Sequence, residues 1–328
     1  MPLRGTAQTH RLRVARNVVT AHRRRSSGFP CRLFTLLLAF AFLAGPVRAQ
    51  EMEPRSYSNS PIGTRFFLAA YARSEGNLSF DSSVPVEDAT AQVNLGSLAY
   101  GQVFEVFGQS AKILGLLPYA KGTIDGVVLG TPASAQRNGF GDPRVRLAVN
   151  FLGAPALSLA EFASYEQDWI FGGSVELSLP MGAYRTDRVV NIGRNRWSLR
   201  GDLGASVRRG AWILETSGSA AFYTDNDQFQ STSTFEQDPL YTLQGHLVYE
   251  FRRGVWLAGD AVYSFGGRTT LDGVRKNDRQ KRTRFGVTLA VPISKGNALK
   301  LAFSSGATSR LGADFDTFTI AYQRVWAE

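Results

Sequence analysis

The sequence predicts an all-β fold: a transmembrane, antiparallel, up-and-down β-barrel of about 12 strands, preceded by a signal peptide. Three observations support this fold class. A basic stretch and a short apolar run open the chain, apolar and polar residues alternate along most of the rest, and short turns alternate with long loops. Together these features are typical of a barrel exported to an outer membrane.

The first 49 residues have the organisation of a cleavable signal. The basic residues come first, and the apolar run 33–44 is followed by the small-x-small exit Val47-Arg48-Ala49. The run is too short for a spanning helix, which needs roughly 20 residues. We therefore expect residues 1–49 to be removed, residues 50–62 to form a periplasmic N-terminal segment, and residues 63–328 to form the barrel.

The positive net charge of the chain belongs to this leader. The chain carries 37 basic and 27 acidic residues, a formal net charge of +10, and nine arginines but no acid lie before Gln50. The rest is nearly neutral, which argues against a nucleic-acid partner. Cys31 lies in the leader, and His246 is the one histidine after Gln50. These counts argue against a thiolate or histidine metal site, and we expect no metal and no cofactor.

Alternation with period two indicates strands with one apolar and one polar face. Between Trp197 and Val207, Leu199 and Leu203 share one face while Arg200 and Asp202 lie on the other. In a barrel that spans a membrane the apolar face contacts lipid and the polar face lines the interior. The predicted strands are 64–73, 91–107, 112–124, 140–152, 169–179, 197–207, 212–223, 240–251, 255–267, 282–293, 299–309 and 317–326.

Connection lengths separate this barrel from a soluble sandwich. Short connectors at 108–110, 208–210, 252–254 and 295–297 alternate with long polar segments at 74–90, 125–138, 183–196, 224–238 and 268–281. Short periplasmic turns and long external loops are the outer-membrane arrangement. The exception is the long connector 153–168 on the short-turn side, which we expect to close or line the periplasmic mouth.

The polar faces define a set of candidate lumen-lining residues, whose mixed charges would set the field that a solute meets. They are Arg144, Arg146, Glu176, Arg200, Asp202, Glu215, His246, Glu250, Asp260, Arg284 and Lys300. An equally weighted alternative is that these charges only brace a narrow barrel.

Aromatic residues concentrate near the ends of the predicted strands. Amphipathic rings suit the headgroup level of a membrane, so we expect an interfacial belt. Its members are Trp169, Trp197, Trp212, Tyr241, Tyr249, Trp256, Tyr322 and Trp326.

Several stretches resemble the MetA-pathway phenol-degradation family of outer-membrane proteins, a transporter-like group. They include SNSPIGTRFFLAAYARSEG (58–76), GFGDPRVRLAVNFLGAPALSLAEFASYEQD (139–168), VVNIGRNRWSLRGDLG (189–204), FYTDND (222–227), EQDPLYTLQGHLVYEFRRGVW (236–256) and GGRTTLDGV (266–274). The resemblance spans nearly all of the chain after the leader. It implies uptake of aromatic or other small hydrophobic compounds and supplies no functional residues to carry across.

We therefore expect a channel or transporter in the cell outer membrane for passive passage of small molecules, and no enzyme. Its expected partners are outer-membrane lipid and lipopolysaccharide, the barrel-assembly machinery and a small-molecule solute. One alternative is a non-conducting structural or surface-interaction barrel. The third is a lipase-like membrane enzyme using His246, for which no G-x-S-x-G nucleophile motif occurs.

Overall fold

The structure, a computed structural model, describes residues 53–79, 86–128, 130–188, 190–309 and 312–327. The predicted signal peptide 1–49, with Cys31, and residues 50–52 of the predicted periplasmic segment lie outside these ranges. Within the described ranges no helix has the length and hydropathy that crossing a membrane requires.

The described chain is built almost entirely of strands. Most carry one polar and one apolar face, as their alternating sequences predict. In chain order they are β1 (Arg65–Ser79), β2 (Val86–Val106), β3 (Gln109–Val128), β4 (Thr131–Phe140), β5 (Arg144–Leu152), β6 (Trp169–Ser178), β7 (Ser198–Arg209), β8 (Trp212–Tyr223), β9 (Asn226–Phe229), β10 (Ser233–Gln237), β11 (Leu240–Arg252), β12 (Val255–Gly266), β13 (Thr269–Leu271), β14 (Val274–Arg275), β15 (Gln280–Ser294), β16 (Asn297–Ser309) and β17 (Gly312–Trp326).

The large sheet closes on itself. Neighbours in sequence pair antiparallel around the wall, and β1 pairs with β17 in the register that places Arg65 opposite Trp326. β4 and β5 both pair with β3, one after the other. Together they therefore occupy one strand position of the barrel, interrupted at residues 141–143. The wall therefore has twelve strand positions, which confirms the predicted closed barrel of about 12 strands. Closure matters because an open sheet edge cannot satisfy its backbone in lipid.

The two ends of the barrel differ as predicted. The turns at 107–108, 210–211, 253–254 and 295–296 each connect two barrel strands directly. The positive φ of Phe107 and Gly108 at the first turn is the conformation that a two-residue hairpin requires. By the arrangement of outer-membrane barrels this end is periplasmic, and the end with the long connections is extracellular.

Four of the five long segments predicted to be loops contain strand residues. Within the predicted loop 74–90, β1 extends to Ser79 and β2 begins at Val86. Residues 131–138, predicted as part of a loop, belong to β4 and extend the wall beyond the end of β6. The segments after β8 and β12 fold together into a second, four-stranded sheet with the order β14-β13-β10-β9, which we name the lid sheet. These strands are two to five residues long, too short to produce a readable alternation.

The outer surface of the wall is apolar. On β7, Leu199 and Leu203 are exposed while Ser198, Asp202 and Ser206 on the other face are buried. Exposed leucine, valine and aromatic side chains recur on the outer face of the other barrel strands. A continuous apolar belt of this size is unstable in water and is covered by lipid in an outer membrane.

Candidate functional site: the barrel interior

Residues 53–64, which we name the N-terminal segment, lie inside the barrel. The Arg146 guanidinium donates to the Glu53 carboxylate at 3.0 Å, and the Arg55 backbone N–H donates to Glu215. The Tyr57 hydroxyl donates to Asp202. All three partners lie on the inner face of the wall. Residues 53–57 of the segment predicted to be periplasmic therefore lie against the inner face of the wall, because their polar groups find charged partners there.

Two glycines make room for Tyr57. A Cβ added at Gly204 would lie 2.4 Å from the Tyr57 ring, and one added at Gly172 would lie 3.0 Å from it. Both glycines point inward, Gly172 on β6 and Gly204 on β7, and the ring packs over their backbone. Ala154 and Ile170 complete a buried apolar cluster around Tyr57. The sequence thus encodes a fitted niche for one aromatic side chain.

The connector 153–168 supports the N-terminal segment from below. The Ile62 backbone N–H donates to the Leu157 carbonyl at 2.8 Å, and the Asn59 amide donates to the Pro155 carbonyl at 3.0 Å. A single 3-10 turn at Glu161–Ser164 lies within the connector. The connector therefore lies at the periplasmic mouth, where it was expected.

The eleven candidate lumen-lining residues all lie on the inner face of the wall. They pair with near neighbours along the wall or with the N-terminal segment. Arg144 lies 3.6 Å from Glu176, and Arg200 lies 3.8 Å from Asp202. Glu250 accepts from Arg208 and also lies 3.6 Å from Arg55.

Lys300 and Arg284 occupy the inner face elsewhere on the wall. Lys300 stands 5.8 Å from the Trp256 ring, and Arg284 donates to Ser304 at 2.8 Å and to the backbone of Phe315. Sequence reasoning missed Lys112, whose ammonium donates to the Ser58 carbonyl at 2.6 Å. It was missed because Leu114 and Leu116 share the inner face with it, so β3 shows no polar and apolar alternation.

His246 belongs to a buried polar cluster. Its Nδ1 lies 2.7 Å from Asp260 Oδ1, and Thr288 donates to the other oxygen of Asp260 at 2.8 Å. Glu215 stands opposite His246 on β8. No described hydroxyl contacts the imidazole as a nucleophile would, so the cluster is arranged to fix side chains across three strands. Among the described residues no group of three or more His, Cys, Asp or Glu is placed to hold a metal ion.

A small cavity lies beside the N-terminal segment. A cavity of about 40 Å³ is lined by Tyr57, Arg144, Arg200, Asp202 and their neighbours. A water molecule needs roughly 10–15 Å³ of such space, whereas a cavity known to hold benzene is about 150 Å³. The cavity admits a few waters and no aromatic ring.

Residues 179–188 and 190–197, which form a loop, and the lid sheet lie at the extracellular end of the barrel. Asp142, in the interruption between β4 and β5, accepts from the backbone N–H groups of Gly182 and Arg194, both at 2.9 Å. In the lid sheet Phe229 and Phe235 pack together with Leu271. The loop also contacts the lid sheet, since the Asn195 amide donates to the side-chain oxygen of Asn226 at 2.9 Å.

The aromatic prediction is wrong for Trp256. This side chain is only 5% exposed and points inward, where it packs with Ile213, Val248 and Ala290. It shares the face of Asp260, which is four residues along the same strand. Trp169, Trp197, Trp212 and Tyr241 are exposed on the outside, and Tyr249, Tyr322 and Trp326 are partly exposed there.

Comparison with solved structures places this architecture among outer-membrane barrels. The COG4313 outer membrane channel from Pseudomonas putida F1 matches with a TM-score of 0.71 at 23% identity, over 84% of this chain and 100% of that one. The beta domain of the Bordetella autotransporter BrkA matches with a TM-score of 0.47 at 12% identity, over 80% and 99%. The similarity to the COG4313 channel shows the fold. The similarity to the BrkA domain is too remote to show more.

A third structure is a mutant of the monoaromatic hydrocarbon channel TodX. It matches with a TM-score of 0.42 at 10% identity, over 83% of this chain and 93% of that one, which is again too remote to carry an argument. No curated protein matches the chain significantly.

The family is shown by sequence. A family model described as "Putative MetA-pathway of phenol degradation" matches residues 72–321, which is most of the chain. The resemblance carried by the stretches quoted above and the barrel of about twelve strands are both confirmed. The chain belongs to this family.

Proposed function

We propose that this chain is an outer-membrane channel for passive passage of small molecules, among them compounds with an apolar or aromatic body. The observation that carries the proposal is how the interior is filled. A barrel of eight strands is filled by its own side chains, and one of twelve encloses more room. Here that room is taken by the N-terminal segment, a separate piece of chain with polar contacts to the wall.

A separate segment makes an adjustable passage, because it can shift without unfolding the wall. The wall keeps its backbone hydrogen bonds whether or not Glu53, Arg55 and Tyr57 stay in contact with it. The cavity of about 40 Å³ beside the segment passes water-sized species only. Passage of a ring therefore requires the segment to move, and the eleven inner-face candidates become the lining of the opened lumen.

The test compares the full chain with a variant lacking residues 53–62 in planar bilayers and in liposome swelling with sugars, amino acids and phenolic acids. We expect small, rare conductance steps from the full chain and larger, sustained ones from the variant. Phenolic acids should enter faster than sugars of similar size. Equal and negligible permeation by both proteins would contradict a channel.

A second candidate is a non-conducting barrel whose extracellular surface binds a partner. It is favoured by one observation, the contacts of Asn195 and Tyr184 in the loop with Asn226 of the lid sheet, which give the extracellular end a structured surface. The same deletion separates the two functions. A non-conducting barrel stays closed without residues 53–62, whereas a channel conducts more when they are removed.

A further inference from the structure

An unusual arginine lies at the extracellular mouth, between the wall and the lid sheet. The Arg196 guanidinium lies 4.5 Å from the centre of the Tyr223 ring on β8 and 4.9 Å from that of Phe235 on β10. The residue is 7% exposed. Its Nη2 donates to the side-chain oxygen of Gln237, while its Nη1 is buried and has no hydrogen-bond partner among the described residues.

The guanidinium of Arg196 forms no salt bridge with a described carboxylate. Asp225 and Asp142 act on its charge from a longer distance, and Asp142 is engaged by two backbone N–H groups. Arg194 adds a second guanidinium 6.0 Å from the same Tyr223 ring. Burial lowers the pKa of Arg196 to about 9, with a further decrease from Arg194, so the group is still charged at neutral pH. A buried cation without a directly bonded counter-ion is costly, and an anion beside it would relieve that cost.

Polar amides and apolar groups meet around Gly267, next to Gln237, which is the hydrogen-bond partner of this guanidinium. A Cβ placed on Gly267 would lie 3.0 Å from the Gln237 amide nitrogen, 3.2 Å from that of Gln280 and 3.2 Å from Leu240. Gln280 is 5% exposed, and its side-chain oxygen has no partner among the described residues. An amide can turn to present its NH₂ group, so Gln280 can donate to an anion. Leu240 and Phe235 supply an apolar wall at the same place.

We propose that Arg196, Gln237 and Gln280 form an anion site beneath the lid sheet that takes the carboxylate of a small organic acid with an apolar body. The inference names a solute class for the proposed channel and rests on that function. The guanidinium supplies the charge and a free N–H, and the amides supply neutral donors. Charge-assisted bonds of this kind are among the stronger hydrogen bonds in proteins. The aromatic faces and Leu240 favour an apolar body over a sugar.

The experiment measures equilibrium binding to the full chain in detergent or nanodiscs by titration calorimetry. The probes are benzoate, benzyl alcohol and inorganic phosphate. Benzoate should bind, and Arg196→Gln should weaken its binding about tenfold or more, the effect of losing one charged hydrogen bond. Gln280→Leu should weaken it by a smaller factor and keeps the proposal testable should Arg196→Gln fail to fold.

The matched control is Arg185→Gln, which removes an exposed arginine of the same loop that pairs with Asp187. It should leave benzoate binding unchanged. The proposal is overturned if folded Arg196→Gln binds benzoate as the parent chain does, if benzyl alcohol binds as well as benzoate, or if phosphate binds and benzoate does not.

Binding needs no conduction, so the two proposals fail separately. A chain that binds benzoate but passes no solute after deletion of residues 53–62 keeps the site and loses the channel function. A chain that passes solutes but prefers benzyl alcohol to benzoate keeps the channel and loses the site.

Discussion

Tyr57 donates its phenolic hydrogen to Asp202 on the inner face of β7, joining residues 145 positions apart in the chain. The same ring fills the niche over Gly172 and Gly204. One side chain therefore combines a charged hydrogen bond with a close-packed contact. We regard it as the principal attachment of the N-terminal segment to the wall.

Removing the Tyr57 hydroxyl should make the barrel open more often. Tyr57→Phe keeps the ring in its niche but leaves Asp202 without that donor, a loss of about 1–3 kcal/mol for a buried bond to a charged group. We expect more frequent conductance steps in planar bilayers, with any loss of barrel stability staying within that range. The control is Tyr71→Phe, which deletes a hydroxyl bonded to Asn94 on the outer surface. Equal opening frequencies for the two variants would argue against this attachment.

Filling the niche over Gly204 should also open the barrel more often, in this case by displacing the Tyr57 ring. In Gly204→Ala the new methyl group would come within 2.4 Å of the Tyr57 ring, so either the ring or the strand must move. Because the β7 backbone is held on both sides, we expect the ring to leave and the conductance to rise. Gly201→Ala is the matched control, since a Cβ there meets nothing within 4 Å. The idea fails if Gly204→Ala keeps the conductance of the parent chain.

Period-two alternation was sufficient to predict the faces of β7 and β11, because each carries acidic or basic residues on one side and leucines on the other. It could not locate the N-terminal segment. Residues 53–64 have no periodicity, and their interior position depends on complementarity between Glu53, Arg55 and Tyr57 and a wall formed far along the chain. Such long-range matching is absent from any local pattern.

The inward orientation of Trp256 could have been predicted from the sequence. Trp256 and Asp260 are four residues apart on one strand and so share a face, and a carboxylate on the lipid face would be costly. This parity is a better indicator of orientation than proximity to a strand end. The Arg196 site has no comparable signal in the sequence, since Tyr223 and Phe235 reach Arg196 from two separate strands and Gln280 lies next to Gln237 from a third.

Tryptophan fluorescence can distinguish tryptophans on the lipid-facing surface from Trp256 inside the barrel. In bilayers containing brominated phospholipids, variants retaining one of Trp169, Trp197 or Trp212 should be strongly quenched, because these rings are exposed on the outer surface. A variant retaining Trp256 alone should be quenched little, since its ring lies inside the wall. Replacement of the other tryptophans by Phe keeps the aromatic surface. Strong quenching of Trp256 would place it in the belt and contradict the inward orientation.

The His246 cluster should act in stability and not in catalysis. Asp260 is the shared acceptor of His246 and Thr288, and all three are buried. Asp260→Leu removes that acceptor and leaves two buried donors without a partner, which should cost about 1–3 kcal/mol for each. Thr288→Val removes one bond while keeping the shape and should cost less. Urea unfolding of the reconstituted barrel, followed by tryptophan fluorescence, measures both. An ester-hydrolysis assay on His246→Ala completes the test, because a hydrolytic rate that disappears with this histidine would restore the enzyme hypothesis.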